Sequence, residues 1–256
     1  MAYNLNDKLV IAISSRALFD LEEENQIFEK DGLDAYYKYQ LENQDKSLKK
    51  GTGYRLVENI LKINSFFSSD ERQVEVIILS KNNAATSLRI TNAINDLKLD
   101  IIRSAWTSGT NISNYLKAFK VDLFLSADDN DVLNAIENGV AAAKILHSNE
   151  NIHNISNEQV RIAFDGDAVL FSEESELVYK NHGLEAFIEH EKENRNNPLE
   201  MGPFAKLLLT IAKIQAKFPT DKSPIRTALV TARSAPTHER VIKTFNLWGV
   251  RVDEAF

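Results

Sequence analysis

The chain contains 256 residues, of which 43% are hydrophobic and 26% are charged, as in ordinary globular proteins. It has no cysteine, which excludes a disulfide framework, a thiolate metal site and a cysteine nucleophile. Its 30 basic and 37 acidic residues give a net charge of −7, so no nucleic-acid partner is expected. With no apolar run of membrane-spanning length and no basic segment of a secretion signal at the start, we expect a cytoplasmic protein with no membrane partner.

Short runs rich in Val, Ile and Leu alternate with longer segments of helical periodicity. Because the short runs look apolar on both faces, they are interpreted as buried parallel strands. The predicted strands are residues 8–14, 74–80, 99–105, 121–126, 160–164 and 226–231. The predicted helices are residues 20–44, 54–65, 84–97, 111–118, 129–146, 173–194, 204–217 and 236–247. This alternation predicts an α/β protein with parallel sheets.

A polar, asparagine-rich stretch at residues 148–159 is interpreted as a linker between two units, residues 1–150 and 151–256. A shift of 151 positions aligns the two units with each other. Matched residues include Ile11 with Ile162, Gly32 with Gly183, Gly51 with Gly202, and Arg89 with Arg240. Shared βα patterning does not explain identities at glycine and arginine, so we predict an internal duplication.

The two units differ at the end of their first strand. The second unit continues into Asp165-Gly166-Asp167, whereas the first unit has Ser14 and Arg16 at the positions of the two acids. Carboxylates at this end of a parallel strand lie where ligands bind in open α/β sheets. They can bind Mg²⁺, and one can attack phosphorus while the other transfers protons. The alternative is an exposed Asp-Gly-Asp turn, which the apolar run after it disfavours.

Further candidates follow the second strand of the second unit. Gly166 would let backbone N–H groups approach phosphoryl oxygens, and the hydroxyl of Thr231 could bind them as well. Thr231 equally fits the N-cap of the following helix. Arg233 fits a phosphate or base contact, or a surface arginine at a helix start. Residues 173–206, between the two motifs, are predicted to form a helical cap over the site.

Together these residues resemble the motifs of the haloacid dehalogenase-like phosphohydrolases. The segments that carry a closer resemblance, to the cytosolic 5′-nucleotidase type I family, are SSRALFDLEEEN, DGLDAYYKYQLEN, FDGDAVLFSEESE and ALVTARSAPTHERVIKTF. The resemblance implies two tandem Rossmann-like units with cap insertions. It also implies Mg²⁺-dependent hydrolysis of nucleoside 5′-monophosphates through an aspartyl-phosphate. Asp165 would then be the nucleophile, Asp167 the general acid and base, and Thr231 a ligand of the phosphoryl oxygens.

The first unit carries counterparts of the superfamily's remaining motifs, interpreted as catalytic relics: Ser80, Lys117, Asp128 and Asp129. The counterparts of the lysine and the acid pair in the second unit would lie beyond Phe256. We therefore expect the second unit to be incomplete, in a chain cut short at its C-terminus. Alternatively, the first unit lends these residues, or the protein is a nucleotide-binding sensor without turnover. Self-association into a homo-oligomer stays open.

Overall fold

The computed structural model describes residues 4–146, 159–233 and 237–256. The chain divides into unit 1, Met1–Ser156, and unit 2, Asn157–Phe256. The predicted linker, residues 148–159, lies almost wholly outside the described residues. Among the described helices, none combines the length and the apolar character that a membrane crossing requires.

Unit 1 is built on a parallel sheet flanked by helices. Its strands are β1 (Leu9–Ile13), β2 (Phe19–Asp20), β3 (Lys49–Lys50), β4 (Val74–Ser80), β5 (Arg103–Trp106), β6 (Leu123–Ser126) and β7 (Ala142–Lys144). Its helices are α1 (Ser15–Leu18), α2 (Glu22–Glu42), α3 (Tyr54–Lys62), α4 (Leu88–Asp96), α5 (Ser113–Ala118) and α6 (Asp129–Glu137). Five strands form the sheet in the order β5-β4-β1-β6-β7, and β2 and β3 form a separate antiparallel ribbon. Every residue of β1 and β4 is buried, because helices cover both faces of the central strands.

Unit 2 contains a smaller parallel sheet. Its strands are β8 (Val160–Asp165), β9 (Ile225–Val230) and β10 (Glu254–Ala255), in the order β10-β9-β8. Its helices are α7 (Glu174–Glu193), α8 (Ala205–Gln215) and α9 (His238–Trp248). The two parallel sheets confirm the predicted α/β class.

The strand registers of the two units agree with the internal duplication. Leu9 of β1 aligns with Val74 of β4, and the residues 151 positions later, Val160 and Ile225, align in the same way. The same shift of 151 positions relates the pairing of β4 with β5 to that of β9 with β10. Ile77 aligns with Arg103, and Ala228 aligns with Glu254. A register is fixed by backbone hydrogen bonds over the whole strand, so its repetition goes beyond shared apolar patterning.

A glycine bends the long helix of each unit at the same place. Gly32 in α2 has φ 84° and ψ −176°, and Gly183 in α7 has φ 81° and ψ −175°. Glycine adopts this backbone conformation without the steric cost of a β-carbon. The identity of these two residues in the sequence alignment therefore follows from a bend that both units share.

Several predicted boundaries are wrong. The predicted helix 129–146 ends early, because Gly139 with φ 75° follows α6 and the next apolar residues form β7 instead. The predicted strand 99–105 is displaced, since β5 begins only at Arg103. The strands β2, β3 and β10 were not predicted, because two residues carry no periodicity. The β8 strand is not buried on both faces, since Arg161 and Ala163 are exposed at the edge of its sheet.

Candidate active site

The turn that follows β8 presents Asp165 at the end of the strand. Asp165 is the last residue of β8, and its side chain is exposed. Residues Gly166–Leu170 form one turn of π-helix, closed by the Phe171 N–H, which donates to the Gly166 carbonyl oxygen at 3.0 Å. Within this turn Ala168 has φ 59°, which is rare for a residue with a side chain. A turn that stores this backbone strain is typical of functional sites.

Unit 1 has a tighter turn at the same place. There the Phe19 N–H donates to the Ser15 carbonyl oxygen, four residues back, and Ser14 takes the place of Asp165. The Ser14 hydroxyl accepts a hydrogen bond from the Ala17 N–H at 3.3 Å and caps α1. Unit 2 has one residue more than unit 1 between this position and the following phenylalanine, Phe171 in unit 2 and Phe19 in unit 1. This extra residue converts an α-turn into a π-turn. In unit 1, the side chain at the position of the acid caps a helix instead.

Thr231 lies against the Asp-Gly-Asp turn. Parallel pairing of β8 with β9 sets Asp165 opposite Val230, the residue before Thr231. A β-carbon on Gly166 would lie 3.4 Å from the Thr231 Oγ1 atom, so the backbone of the turn passes close to this hydroxyl. The Thr231 Oγ1 accepts a hydrogen bond from the Arg233 N–H at 3.2 Å. The alternative role of Thr231 as the N-cap of α9 is wrong, because Thr237 occupies that position.

Arg233 connects the turn to helix α7. Its guanidinium donates to both carboxylate oxygens of Asp167, from Nε to Oδ2 at 3.0 Å and from Nη2 to Oδ1 at 2.5 Å, and its Nη1 donates to Glu191. The side chain of Arg233 is only 2% exposed, so the interpretation as a surface arginine is wrong. Burial alone would lower the pKa of Arg233, but the hydrogen bonds and charges of Asp167 and Glu191 outweigh it and raise that pKa.

Glu191 is a buried acid that sequence reasoning missed. Its carboxylate, which has no exposed surface, accepts hydrogen bonds from the Arg240 Nη1 at 3.1 Å and from the Ser175 hydroxyl at 2.7 Å, besides the one from Arg233. An acid on a highly charged helix looks solvent-exposed in the sequence. The alignment of the two units does indicate that Glu191 and Arg233 belong together. Glu191 matches Gln40 of unit 1 and Arg233 matches Asn82, so the acid and the base of unit 2 are both replaced by uncharged residues in unit 1.

The predicted cap, residues 173–206, consists of α7 and the segment that leads to α8. The Arg233 guanidinium carbon lies 5.3 Å from the ring centroid of Phe187 on α7. The ring of Tyr179 stands edge-on to that of Phe187, with centroids 6.2 Å apart. Helix α7 therefore supplies both the buried acid and an aromatic surface next to Arg233.

The chain resembles known proteins over its whole length. A sequence model of the 5′-nucleotidase family matches residues 1–256. The chain belongs to the 5′-nucleotidase family. Human cytosolic 5′-nucleotidase 1B is 36% identical over 256 residues, an alignment that covers 96% of this chain and 42% of the human protein. The chain thus spans less than half the length of this relative, and the family resemblance expected from the sequence motifs is confirmed.

In this member of the 5′-nucleotidase family, the candidate relics of unit 1 separate into two groups. Ser80 and Asp128 lie at the ends of β4 and β6 and line one cavity. Lys117 is exposed on α5, and Asp129 is exposed on α6, where its carboxylate pairs with Lys144 at 2.7 Å; neither lines that cavity. The structure therefore brings together Ser80 and Asp128, but not Lys117 and Asp129.

The donor set for a magnesium ion is partial. Within residues 4–146, 159–233 and 237–256, no three His, Asp or Glu side chains gather as they would around a metal ion. Mg²⁺ is, however, commonly held by one or two carboxylates together with phosphate oxygens and water. The exposed carboxylate of Asp165 fits this mode, whereas the carboxylate of Asp167 is engaged by Arg233.

Proposed function

We propose that unit 2 hydrolyses nucleoside 5′-monophosphates to a nucleoside and phosphate, with Asp165 as the nucleophile. The observation that carries the proposal is the exposed Asp165 carboxylate at a strand end, beside Gly166 and Thr231 and next to the Arg233–Asp167 pair. Membership of the 5′-nucleotidase family and the similarity to human cytosolic 5′-nucleotidase 1B support it. The human relative is named as a cytosolic enzyme, and we extend this location to the present protein as part of the proposal.

The proposed reaction has two steps. In the first, an Asp165 carboxylate oxygen attacks phosphorus, the bond between phosphorus and the 5′ oxygen breaks, and Asp167 gives that oxygen a proton. In the second, a water attacks the phosphoryl group, Asp167 takes a proton from this water, and the bond between phosphorus and Asp165 breaks. The Thr231 hydroxyl and the backbone N–H groups of the turn bind the phosphoryl oxygens.

Arg233 has to release Asp167 in this scheme. A guanidinium that donates to both oxygens of Asp167 occupies the carboxylate that is to exchange protons with the 5′ oxygen and with water. Phosphoryl oxygens compete for the same guanidinium. We therefore propose that a bound substrate draws Arg233 toward phosphate and frees Asp167 to carry a proton.

Magnesium is part of the proposal. Asp165 and the phosphate group of the substrate would hold the ion. When bound, Mg²⁺ offsets negative charge on the phosphoryl oxygens, which otherwise repel the attacking carboxylate. The proposal expects phosphate release to stop when a chelator removes Mg²⁺ and to return when the ion is added back.

The test is phosphate release from AMP, IMP and CMP with and without Mg²⁺. Asp165→Asn keeps the shape of the side chain but removes the nucleophile, so release should fall to background. Asp221→Asn makes the same substitution at an exposed position of unit 2 and should leave release unchanged. If Asp165→Asn releases phosphate like the unchanged chain, the proposal is wrong. If the unchanged chain binds nucleotides without releasing phosphate, the sensor alternative replaces it.

A further inference from the structure

A cavity of about 570 Å³ opens at the edge of the unit 1 sheet. Ser14, Ser80 and Ser126, which line it, directly follow or end the parallel strands β1, β4 and β6. The strand registers place it where unit 2 has its candidate active site. Its volume lies within the roughly 300–1,000 Å³ of small-molecule pockets. No role in the proposed reaction uses this cavity.

Two aromatic rings on α2 form one wall of the cavity. Phe28 and Tyr36 stand edge-on with centroids 5.9 Å apart, and the Phe28 side chain is 48% exposed. The residues 151 positions later, Tyr179 and Phe187, repeat this arrangement beside Arg233 in unit 2. Aromatic rings beside a cavity can pack against a planar ring of a bound ligand. The aromatic pair is therefore common to both units, although their acids are not.

Hydroxyl and amide groups also line the cavity. The Ser15 and Ser80 hydroxyls are 3.0 Å apart, and the Tyr36 hydroxyl donates to the Asn82 Oδ1 at 2.9 Å. The Asn82 Nδ2 atom is buried and has no hydrogen-bond partner among the described residues. A buried donor without an acceptor is costly, and a rotation of the Asn82 side chain toward the cavity would let a ligand oxygen or nitrogen satisfy it. Asn82 thus offers a neutral donor at the position of Arg233.

The charges around the cavity disfavour a phosphate group. Both cationic side chains that line it pair with acids: Lys81 with Asp131 at 2.6 Å, and Arg16 with Glu22 at 3.6 Å. The carboxylate of Asp128 lines the cavity as well. A phosphate would therefore meet carboxylates whose charge is only partly balanced, whereas an uncharged ligand would meet no repulsion.

We propose that the unit 1 cavity binds an uncharged nucleoside and leaves it unreacted. The planar base lies against Phe28 and Tyr36, and the ribose hydroxyls and base polar atoms meet the serine hydroxyls and the Asn82 amide. Since Ser14 replaces the acid of unit 2, no nucleophilic carboxylate stands at this strand end. The site is separate from the proposed hydrolysis in unit 2, and either can fail without the other.

Isothermal titration of the whole chain with adenosine, inosine and cytidine tests the proposal. We expect saturable binding of at least one nucleoside, weakened about tenfold or more by Phe28→Ala because an aromatic contact and its buried area are lost. Asn82→Asp, which keeps the acceptor for Tyr36 but removes the amide donor, should weaken it as well. The matched control is Tyr179→Ala, the same kind of change at the duplicate position in unit 2, and it should leave this site intact.

Three results would overturn the proposal. The first is no nucleoside binding tighter than about 1 mM. The second is binding that Tyr179→Ala removes and Phe28→Ala does not, which places the site in unit 2. The third is a site sensitive to Phe28→Ala that binds AMP more tightly than adenosine. Phosphate release from AMP, measured on the same variants, keeps the two proposals apart, because Phe28→Ala should not change it.

Discussion

The chemistry available at the candidate active site of unit 2 depends on a few side chains at the ends of two strands. The sequence places Asp165, Asp167, Thr231 and Arg233 at two strand ends, and the parallel register of β8 and β9 brings them together. What the sequence cannot show is the pairing of Arg233 with Asp167 and Glu191, because residues 167, 191 and 233 are distant in the chain and have no common period. The buried salt bridges depend on how α7 packs, which local patterning does not specify.

The proton-transfer role of Asp167 predicts a partial loss of activity. Asp167→Asn cannot give or take a proton, so phosphate release should fall on the order of 10²–10⁴-fold. Because the shape is kept and Asp165 is untouched, nucleotide binding should persist. Single-turnover rates and equilibrium binding of AMP would separate the two effects. Release close to that of the unchanged chain would contradict the role of Asp167.

The buried ion pairs of Glu191 are expected to stabilise unit 2, and unit 1 shows a second position at which an acid can pair with the matching arginine. Glu191→Gln removes the carboxylate that pairs with both Arg233 and Arg240, which should cost roughly 3–5 kcal/mol of unfolding free energy. In unit 1 the acid lies elsewhere: Glu24 pairs with Arg89, and Gln40 stands at the position of Glu191. Adding Ser175→Glu, at the position of Glu24, should therefore recover part of the loss.

The measurement can be restricted to unit 2. The chain has two tryptophans, and Trp248 packs 5.8 Å from the ring of Phe171. In a Trp106→Phe background, the fluorescence of Trp248 reports unfolding of unit 2 in urea. If the double variant is no more stable than Glu191→Gln alone, an acid at the position of Glu24 cannot take over the stabilising role of Glu191, and the prediction is wrong.

At the level of elements, the sequence predicted the parallel strands better than the segments between them. Long apolar runs such as β1 and β4 have a clear signature, because both of their faces are buried. Short strands depend on their neighbours: Ala142 and Ala143 of β7 resemble helix but pair with β6. The turn after β8 was also beyond prediction, since one additional residue could have entered it in several ways.

The additional residue in the turn after β8 can be removed by a deletion. Removing Ala168 should restore the shorter α-turn of unit 1, so unit 2 should still fold. Asp167 would then shift relative to Arg233, and phosphate release should fall as far as it does in Asp167→Asn. The control is Ala168→Gly, which keeps the length of the turn and tolerates φ 59°, and it should stay active. A deletion variant with full activity would show that the π-turn does not position Asp167.

At the scale of the whole molecule, the repeated register and the repeated glycine bend describe one architecture used twice. The copies differ in charge at their strand ends. Unit 2 has Asp165 and Arg233, whereas unit 1 has Ser14 and Asn82 beside a cavity with paired charges. The sequence predicted the duplication from identities at glycine and arginine, but the cavity depends on side-chain packing that the sequence does not show.

Two exposed side chains of unit 1 can test whether this unit lends residues to the reaction in unit 2. Lys117 and Asp129 are both exposed, and the ion pair of Asp129 with Lys144 is a surface pair worth about 0–1 kcal/mol. The double variant Lys117→Met with Asp129→Asn should therefore unfold like the unchanged chain. If unit 2 acts on its own, the variant should also release phosphate from AMP at the unchanged rate. A fall as deep as that of Asp165→Asn, with stability preserved, would mean that both units contribute to one site, and the assignment of the reaction to unit 2 alone would be wrong.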